Sequence, residues 1–392
     1  MRICFVVNGY PHAYNPILNI FIQRLAWALS DKGEDITVIH PVVPNLNPSL
    51  LNLPYCEEEK TPAGRVVLVY RPKAFGLGQS HTVFGKSPVK ITCHFMEKAA
   101  IRVIEREALV PDVFYGHFLA PSGVVSARLG RRYGRPSFAA FGEAHPTIEQ
   151  FGADDARKEM LSLTGGIAVS TCLLDYLTSC NVLPREKIEV IPNGYSEKEF
   201  YPIDKQVARR KMDIPEGIFL VGFVGSFNDR KGISRLEKAM DDLEDAHFIC
   251  AGSGPQKPTS EKCLQARSFN KGELLYFYNA LDAFVLPTLK EGCSNAIVEA
   301  MACGLPVVSS DRLFNKDILD ESCSILIDPS NVAEIGEAIS VLKEDKELRR
   351  QLGEQALLKA KGLTLDKRAN KVLAFIQKGA RRDVSGERSA EF

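Results

Sequence analysis

Short apolar segments alternate with amphipathic segments along most of the chain, and this alternation runs through the sequence twice. In the first half, the apolar segments predicted as strands are 3–7, 36–39, 66–69, 113–115, 138–141, 167–169 and 188–191. In the second half they are 219–224, 247–251, 283–286, 307–309 and 324–327. Strands that alternate with helices form parallel sheets covered by helices on both faces. The sequence therefore predicts an α/β protein with two doubly wound domains.

The 392 residues are enough for two hydrophobic cores. We predict a first domain at 1–200, a second at 201–362, a terminal helix within 363–380 and a disordered tail at 381–392. The polar segment 200–214, with prolines at 202 and 215, is the predicted linker. Because clefts between domains are preferred ligand sites, we expect the ligand there.

Composition excludes several classes of protein. The formal net charge is zero, which gives no reason to expect nucleic acid as a partner. The ten cysteines stand singly, without zinc-type spacing, as expected for reduced thiols in the cytoplasm. The apolar run after Met1 is too short for a signal peptide or a membrane span.

The segment 291–306 reads EGCSNAIVEAMACGLP and follows a predicted strand. A loop at the carboxyl end of a strand that leads into a helix is where open α/β sheets bind ligands, and the first turn of that helix favours a diphosphate. We expect Ser294 or Asn295 to cap the helix. Glu299 is placed to accept hydrogen bonds from a ribose diol, and Glu291 lies where an attached sugar would bind. A surface helix with two solvated glutamates is the alternative.

A second loop of the same kind opens the second domain. The strand 219–224 ends at Gly225, and Arg230, Lys231 and Gly232 precede a helical run. Glycine permits close approach of a ligand to the backbone, and lysine supplies a compact positive charge for a phosphate. Taken alone, such a basic turn is more often simply solvated.

These motifs resemble those of the retaining glycosyltransferases of family 4. Glu291 and Glu299 stand in register with Ala300-Met301-Ala302, Gly304 and Pro306-Val307-Val308, which matches the family's E-x7-E donor signature. The resemblance implies the GT-B fold, in which two doubly wound Rossmann-like domains face a central cleft. It covers motifs in both halves of the chain.

The resemblance also implies a donor site in the second domain. Lys231 matches the family's basic loop, but Ser226 stands where the family usually has arginine. Either Arg230 replaces that charge or the donor is held with one cation fewer. The residues expected to bind the donor are Gly9, Gly225, Ser226, Arg230, Lys231, Gly292, Cys293, Ser294, Asn295 and Glu299.

In the first domain, the resemblance places His117 opposite the transferred sugar, within a segment similar to the family's H-x-x-x-P-x-G. With Lys231 and Glu291, it completes the set expected to take part in catalysis. Tyr10, Glu143 and His145 are candidates for acceptor contacts, although Phe141 departs from the family pattern there.

The expected reaction is transfer of a hexose from a nucleotide diphosphate sugar, with UDP the expected nucleotide, to a hydroxyl of a glycan or lipid-linked glycan. Family members retain the anomeric configuration, and we expect neither a metal ion nor another cofactor. A nucleotide-sugar epimerase of the same fold and a non-catalytic nucleotide-sugar-binding subunit remain alternatives. A dinucleotide-dependent oxidoreductase fits less well, since no GxGxxG follows the first strand.

Basic residues cluster in the first domain. They are Arg128, Arg131, Arg132 and Arg135, with Lys86, Lys90, Lys98, Arg102 and Arg106 in or near another helix. Such runs are often solvated faces, but many family members act on lipid-linked acceptors at the inner membrane surface. We therefore predict that this face binds anionic headgroups and that the protein is cytoplasmic and peripherally attached to the membrane.

Overall fold

A computed structural model describes residues 1–77, 88–143 and 148–384. The chain divides into two compact units: the first contains Met1–Ile191 and Ala369–Phe392, and the second contains Pro192–Arg368. The first unit therefore ends nine residues before the predicted boundary at 200, and the chain returns to it near the carboxyl terminus.

The first unit is built on an eight-stranded sheet. Its strands are β1 (Arg2–Val6), β2 (Asp35–Ile39), β3 (Cys56–Lys60), β4 (Val66–Tyr70), β5 (Val113–His117), β6 (Ser137–Phe141), β7 (Gly165–Ala168) and β8 (Ile188–Val190). Their order is β3-β4-β2-β1-β5-β6-β7-β8, and all pairs are parallel except β3 with β4. The strand order reverses between β1 and β5.

The helices that cover this sheet are α1 (Ile20–Asp31), α2 (Pro88–Arg106), α3 (Val124–Tyr133), α4 (Ile148–Phe151), α5 (Ala153–Met160) and α6 (Thr171–Ser179). The sequence pattern places the first amphipathic segment at 17–29, and helix α1 begins three residues later, at Ile20. Its residues Ile22, Leu25 and Leu29 pack in one core with Phe5 and Tyr115 of the sheet. This 3.6-residue spacing of buried apolar side chains is what holds the helix on the sheet.

The second unit contains a six-stranded parallel sheet in the order β11-β10-β9-β12-β13-β14. The strands are β9 (Phe219–Val224), β10 (Ala246–Ala251), β11 (Cys263–Arg267), β12 (Ala283–Leu286), β13 (Val307–Ser310) and β14 (Ser324–Ile327). The order reverses between β9 and β12. A reversal of this kind creates a crevice at the carboxyl ends of the two strands, where ligands of such sheets bind.

The helices of the second unit are α7 (Lys205–Met212), α8 (Ile233–Asp241), α9 (Lys271–Ala280), α10 (Asn295–Ala302), α11 (Val332–Glu344) and α12 (Lys346–Ala360). Helix α7 lies within the segment predicted as a linker. Asp204 caps it by accepting a hydrogen bond from the Val207 amide, and Ala208 and Met212 are buried. Pro202 and the charged residues of 200–214 indicated a linker, and they obscured the amphipathic pattern of this short helix.

The last helix, α13 (Leu365–Val384), begins in the second unit and ends in the first. Its residues Ala369, Val372 and Ile376 join the core of the first unit. The Phe375 ring lies 5.7 Å from that of Phe138, edge to face. The predicted tail at 381–392 is helical through Val384, and its remaining residues lie outside those described.

Twelve strands lie where the sequence predicts them, within two residues at each end, but β3 and β11 were missed. All ten cysteines lie in the described residues and none forms a disulfide; six are buried. In the described ranges, every helix is too short or too polar to span a bilayer.

Candidate functional site

The crevice between β9 and β12 brings together the two loops that the sequence singled out. The loop 225–232 follows β9, and the loop 287–294 follows β12 and leads into α10. The Leu289 amide donates to the Arg230 carbonyl at 2.8 Å, so the loops are joined through their backbones. The predicted donor residues of the second unit therefore share one edge of one sheet.

Lys231, Arg230 and Glu291 form an ion cluster in this crevice. Lys231 Nζ lies 2.6 Å from Glu291 Oε1, and Arg230 Nη1 lies 3.0 Å from the same oxygen. The side chains of Lys231 and Glu291 are only 13% and 10% exposed, whereas Arg230 is 37% exposed. Charges so far removed from water interact strongly, so this cluster fixes the loop conformation.

Thr288 completes the cluster. Its buried hydroxyl lies 2.8 Å from Glu291 Oε1 and 3.1 Å from the Arg230 carbonyl. The sequence analysis did not single out this threonine. Its position directly after Pro287 at a strand end was the available signal.

Two glycines allow the loops to approach each other. Gly232 has φ 85°, and a Cβ there would lie 2.3 Å from the Pro287 carbonyl oxygen. Gly252, in the loop after β10, packs against Gly225 so closely that a Cβ would lie 1.9 Å from its carbonyl oxygen. Any larger residue at either position would push the loops apart.

Ser294 is the N-cap residue of α10, but its side chain makes no capping hydrogen bond. Its hydroxyl is buried and finds no partner among the described residues. Ser294 thus occupies the predicted N-cap position, although without a side-chain hydrogen bond, and Asn295 is the first helical residue. The first-turn amides of α10 thus have no capping side chain at Ser294, as an anion site requires.

Gly292 and Cys293 are buried beside Ser294, and the loop is held from within the second unit. Asn193 Nδ2 donates to the Cys293 carbonyl at 2.9 Å. Burial raises the pKa of the Cys293 thiol to about 11, so this cysteine is neutral at physiological pH and packs as an apolar side chain.

Glu299 lies one turn into α10 and is half-buried. The Tyr278 hydroxyl donates to Glu299 Oε2 at 2.9 Å, which fixes the orientation of the carboxylate. Tyr278 is itself fully buried on α9. No motif in the sequence pointed to this tyrosine, because it lies 21 residues away on another helix.

In the first unit, the loops after β1 and β5 meet in the same way. The Asn8 amide donates to Ser122 Oγ at 2.9 Å, and Ser122 Oγ donates to Asn8 Oδ1 at 3.0 Å. His117, the last residue of β5, is 2% exposed and packs between the rings of Phe21 and Phe118. Gly9 is buried, and a Cβ on it would lie 2.4 Å from Asn19 Nδ2.

Tyr10 is not available to an acceptor in this structure. The side chain is in the core of the first unit, and its hydroxyl donates to Glu59 Oε2 at 3.1 Å. Gln23 and Trp27 also donate to Glu59. The expectation of an acceptor contact was therefore wrong, because an aromatic ring after a strand packs inward here.

Glu143 connects two loops of the first unit. Its carboxylate accepts hydrogen bonds from the amides of Leu119 and Gly142. Burial raises the pKa of Glu143 to about 7, although these amides act in the opposite direction. His145, the other candidate from this segment, lies outside the described residues.

The basic residues of the first unit are largely paired. Arg128 contacts Glu97 at 3.1 Å and Glu159 at 2.6 Å, and Arg131 contacts Glu159 at 2.6 Å. Arg132 lies 3.8 Å from Glu105. Lys90 pairs with Asp155. Because acidic partners balance this face, the basic run by itself gives little reason to expect attraction to anionic headgroups. Lys86 lies outside the described residues.

The part of the chain that contains the crevice resembles a known protein family. Residues 204–359 match the family model described as glycosyl transferases group 1. This range includes both loops of the crevice and α10. The match covers less than half of the chain and lies within the second unit. It does not include His117, which belongs to the first unit.

Among curated proteins, the chain is 24% identical over 350 residues to the putative teichuronic acid biosynthesis glycosyltransferase TuaC of Bacillus subtilis, covering 87% of this chain and 88% of TuaC. It is 24% identical over 172 residues to the O-antigen biosynthesis glycosyltransferase WclY of Escherichia coli, covering 42% of this chain and 48% of WclY.

Among solved structures, sucrose-phosphate synthase of Thermosynechococcus elongatus matches with a TM-score of 0.78 at 19% identity, covering 96% of this chain and 98% of the other. HepE of Anabaena, solved in complex with UDP-glucose, matches with a TM-score of 0.72 at 15% identity, covering 96% and 100%. The predicted GT-B fold is confirmed, and the comparisons together support a glycosyltransferase.

Proposed function

We propose that the protein is a retaining glycosyltransferase that moves a hexose from a nucleotide diphosphate sugar to a hydroxyl of a glycan or lipid-linked glycan. One observation carries the proposal. Lys231, Arg230 and Glu291 meet at the strand-order reversal of the second unit, beside the amino terminus of α10. Two cations, a helix terminus and a carboxylate in one crevice suit a diphosphate with a sugar attached.

The diphosphate would contact Lys231 and Arg230, with Arg230 supplying the charge that is missing at Ser226. In this structure both cations contact Glu291. A diphosphate would compete for them and release Glu291 to accept hydrogen bonds from the sugar hydroxyls. The buried hydroxyl of Ser294, which finds no partner in the described part of the chain, would donate to a phosphate oxygen.

Glu299 would accept hydrogen bonds from both ribose hydroxyls. The hydrogen bond from Tyr278 holds the carboxylate in a fixed orientation before the nucleotide binds. A carboxylate oxygen can accept more than one hydrogen bond, so the Tyr278 contact is compatible with this role. Gly225 and Gly292 would allow the nucleotide to approach the backbone.

In the proposed reaction, the bond between the anomeric carbon and the diphosphate oxygen breaks, and a bond from the acceptor oxygen forms on the same face of the sugar. The acceptor proton passes to the departing diphosphate. Lys231 and Arg230 stabilise the negative charge that develops on the diphosphate, a contribution of 100-fold or more in comparable sites. With these cations present, we expect no metal ion to be needed. We propose a catalytic role for His117 as well.

The relatives favour a role in polysaccharide biosynthesis and, through the HepE complexes with UDP, uridine as the nucleoside of the donor. The absence of disulfides among ten cysteines is compatible with a cytoplasmic location.

The first experiment is a thermal-shift screen against UDP, GDP and ADP and their sugars, since a ligand that binds only the folded state raises the unfolding temperature. The sugar that binds is then incubated with glycan acceptors, and release of the nucleoside diphosphate is measured. Stabilisation by one nucleotide sugar and release of its diphosphate would support the proposal. A protein that binds a nucleotide sugar but releases no diphosphate with any acceptor would instead be a binding subunit.

A further inference from the structure

A cavity of about 410 Å³ opens in the first unit, at the carboxyl ends of its central strands. Its walls come from the loops after β1 and β2, from α2 and from the turn Leu119–Gly123, and every lining residue belongs to the first unit. This volume is in the range of sites that hold a small molecule or part of one. The cavity is therefore a candidate ligand site of its own.

The wall of this cavity is mostly apolar and carries no permanent charge. Leu18, Val43, Leu46, Leu50 and Met96 are among its lining residues, and among the described residues that line it none is Asp, Glu, Lys or Arg. In the second unit, by contrast, the corresponding crevice contains three charged side chains. A phosphate or a carboxylate would lose its hydration in the apolar cavity without gaining a counterion.

The two imidazoles in the wall do not change this property. Burial, followed by the charge of Arg71, lowers the pKa of His40 to about 3. The same two causes lower the pKa of His12. Both rings are therefore neutral at physiological pH, and the cavity favours an uncharged occupant.

Large apolar side chains continue outward from the cavity. Tyr14, Ile17, Leu51 and Phe75 lie in the loops that supply the lining residues, and Leu46 both lines the cavity and is 55% exposed. Exposed apolar side chains grouped in a few loops indicate a binding surface more often than single ones do. A ligand that extends from the cavity would remain in apolar surroundings.

The cavity is continuous with the loops that carry the candidate acceptor site. Asn8 lines it and is hydrogen-bonded to Ser122, and Pro121 lines it four residues after His117. We infer that the cavity holds an aliphatic chain of the acceptor, so that the substrate class is amphipathic, with its hydroxyl near His117 and its chain among Leu18, Val43, Leu46 and Met96. This inference rests on the proposed function because it names that reaction's acceptor.

A purely polar glycan fits this cavity less well. Its hydroxyls would need hydrogen-bond partners, but ten of the fifteen lining side chains are apolar, and four of the five polar ones, Asn8, His12, Asn47 and Thr92, already make hydrogen bonds within the protein. Asn8, one of its polar residues, already bonds Ser122 in both directions. Hydroxyl groups buried against Leu, Val and Met would lose hydrogen bonds to water without replacement.

The test uses n-alkyl β-D-glucosides with methyl, hexyl and octyl chains, titrated below their micelle concentrations in a calorimeter. Each methylene that enters an apolar cavity should tighten binding about three- to fourfold until the cavity is filled. Leu46→Glu places a carboxylate in the wall at a half-exposed position, and should weaken octyl glucoside binding at least tenfold. Leu161→Glu is the matched control, because Leu161 is 53% exposed in the same unit and lies outside the cavity and the loops that line it.

An affinity that rises with chain length in the wild type, falls in Leu46→Glu and persists in Leu161→Glu would support the inference. Affinity independent of chain length, or equal losses in both variants, would overturn it. The same samples are titrated with the nucleoside diphosphate found by the thermal-shift screen. If the wild type binds the nucleotide but its affinity for the glucosides does not depend on chain length, only the apolar acceptor is rejected. If the wild type does not bind the nucleotide, the proposed transferase is rejected.

Discussion

The two units share a reversal of strand order, but the loops at the two reversals differ in charge. In each, the strand order of a sheet reverses between two parallel central strands, and the two loops at the reversal are joined by hydrogen bonds. In the second unit these loops carry Lys231, Arg230 and Glu291. In the first unit they carry Asn8 and Ser122, and the buried His117 ends β5. The topology thus determines where a ligand binds, and a few loop residues determine which ligand.

This difference predicts which half of the reaction each unit serves. A charged crevice at a helix amino terminus suits the anionic donor, because its charges are fixed before the ligand arrives. An uncharged edge with an apolar cavity suits an acceptor that brings a hydroxyl and little charge. Substitutions in the second unit should therefore alter nucleotide binding, and substitutions in the first should alter transfer while nucleotide binding stays intact.

The largest effect is expected from Lys231→Ala. Because Lys231 would face the charge developing on the leaving diphosphate, turnover should fall by about 100-fold or more, measured as release of nucleoside diphosphate. Lys238→Ala is the control, since it removes the same charge from an exposed position of α8 in the same unit. Near-normal turnover in Lys231→Ala would show that Arg230 and the backbone amides suffice.

Glu299→Ala should weaken nucleotide binding by about 2 to 4 kcal/mol, through loss of two charge-assisted hydrogen bonds to the ribose. Tyr278→Phe keeps the packing of the ring but removes the hydrogen bond that orients Glu299, so its effect should be smaller and in the same direction. Glu337→Ala, at an exposed position of α11, is the control. If calorimetry shows that Glu299→Ala binds the nucleotide as tightly as the wild type, Glu299 does not bind the ribose.

His117→Ala should distinguish the roles of the two units. Transfer should fall by about tenfold or more, while the dissociation constant of the nucleoside diphosphate stays within about twofold of the wild type. Because His117 packs between two aromatic rings, thermal unfolding must be compared with that of His94→Ala, at an exposed position of α2. Equal losses of transfer and of nucleotide affinity would contradict the division of labour.

The smallest effect concerns Glu143 and stability. Its pKa is raised from 4.5 to about 7 in the folded protein, so the folded state binds the proton more tightly than the unfolded state. The free energy of unfolding should therefore fall as the pH rises from about 4.5 to 7. Glu143→Gln removes the titrating group and keeps an acceptor oxygen for one of the two amides, of Leu119 or Gly142, so its stability should decrease less in urea unfolding over this range. An unchanged pH profile would place the carboxyl in water.

The sequence was sufficient for the α/β class and for the two loops of the donor crevice, because strand ends followed by glycine leave a local pattern. It could not show the contact between Arg230 and Glu291, which are 61 residues apart and meet only through the strand order. The same holds for Tyr278, whose contact with Glu299 depends on how α9 packs beside α10.

Edge strands were missed for a related reason. Strand β3 reads CEEEK and pairs with β4 at the edge of the first sheet, so its side chains are mostly exposed and give no apolar signal. Strand β11 is an edge strand of the second sheet and is only partly buried.

The sequence also could not show how the basic residues of α3 are paired. These residues indicated a membrane face, but acidic residues from other helices pair with three of them.

The central claim is that the charged crevice of the second unit binds the diphosphate of a nucleotide. It is tested most directly by calorimetric titration of UDP, GDP and ADP into the wild type, Lys231→Ala and His117→Ala. We predict that one of these nucleotides binds the wild type, that its affinity falls at least tenfold in Lys231→Ala and that it is unchanged in His117→Ala. A wild type that binds none of them, or an affinity that Lys231→Ala leaves unchanged, would contradict the claim.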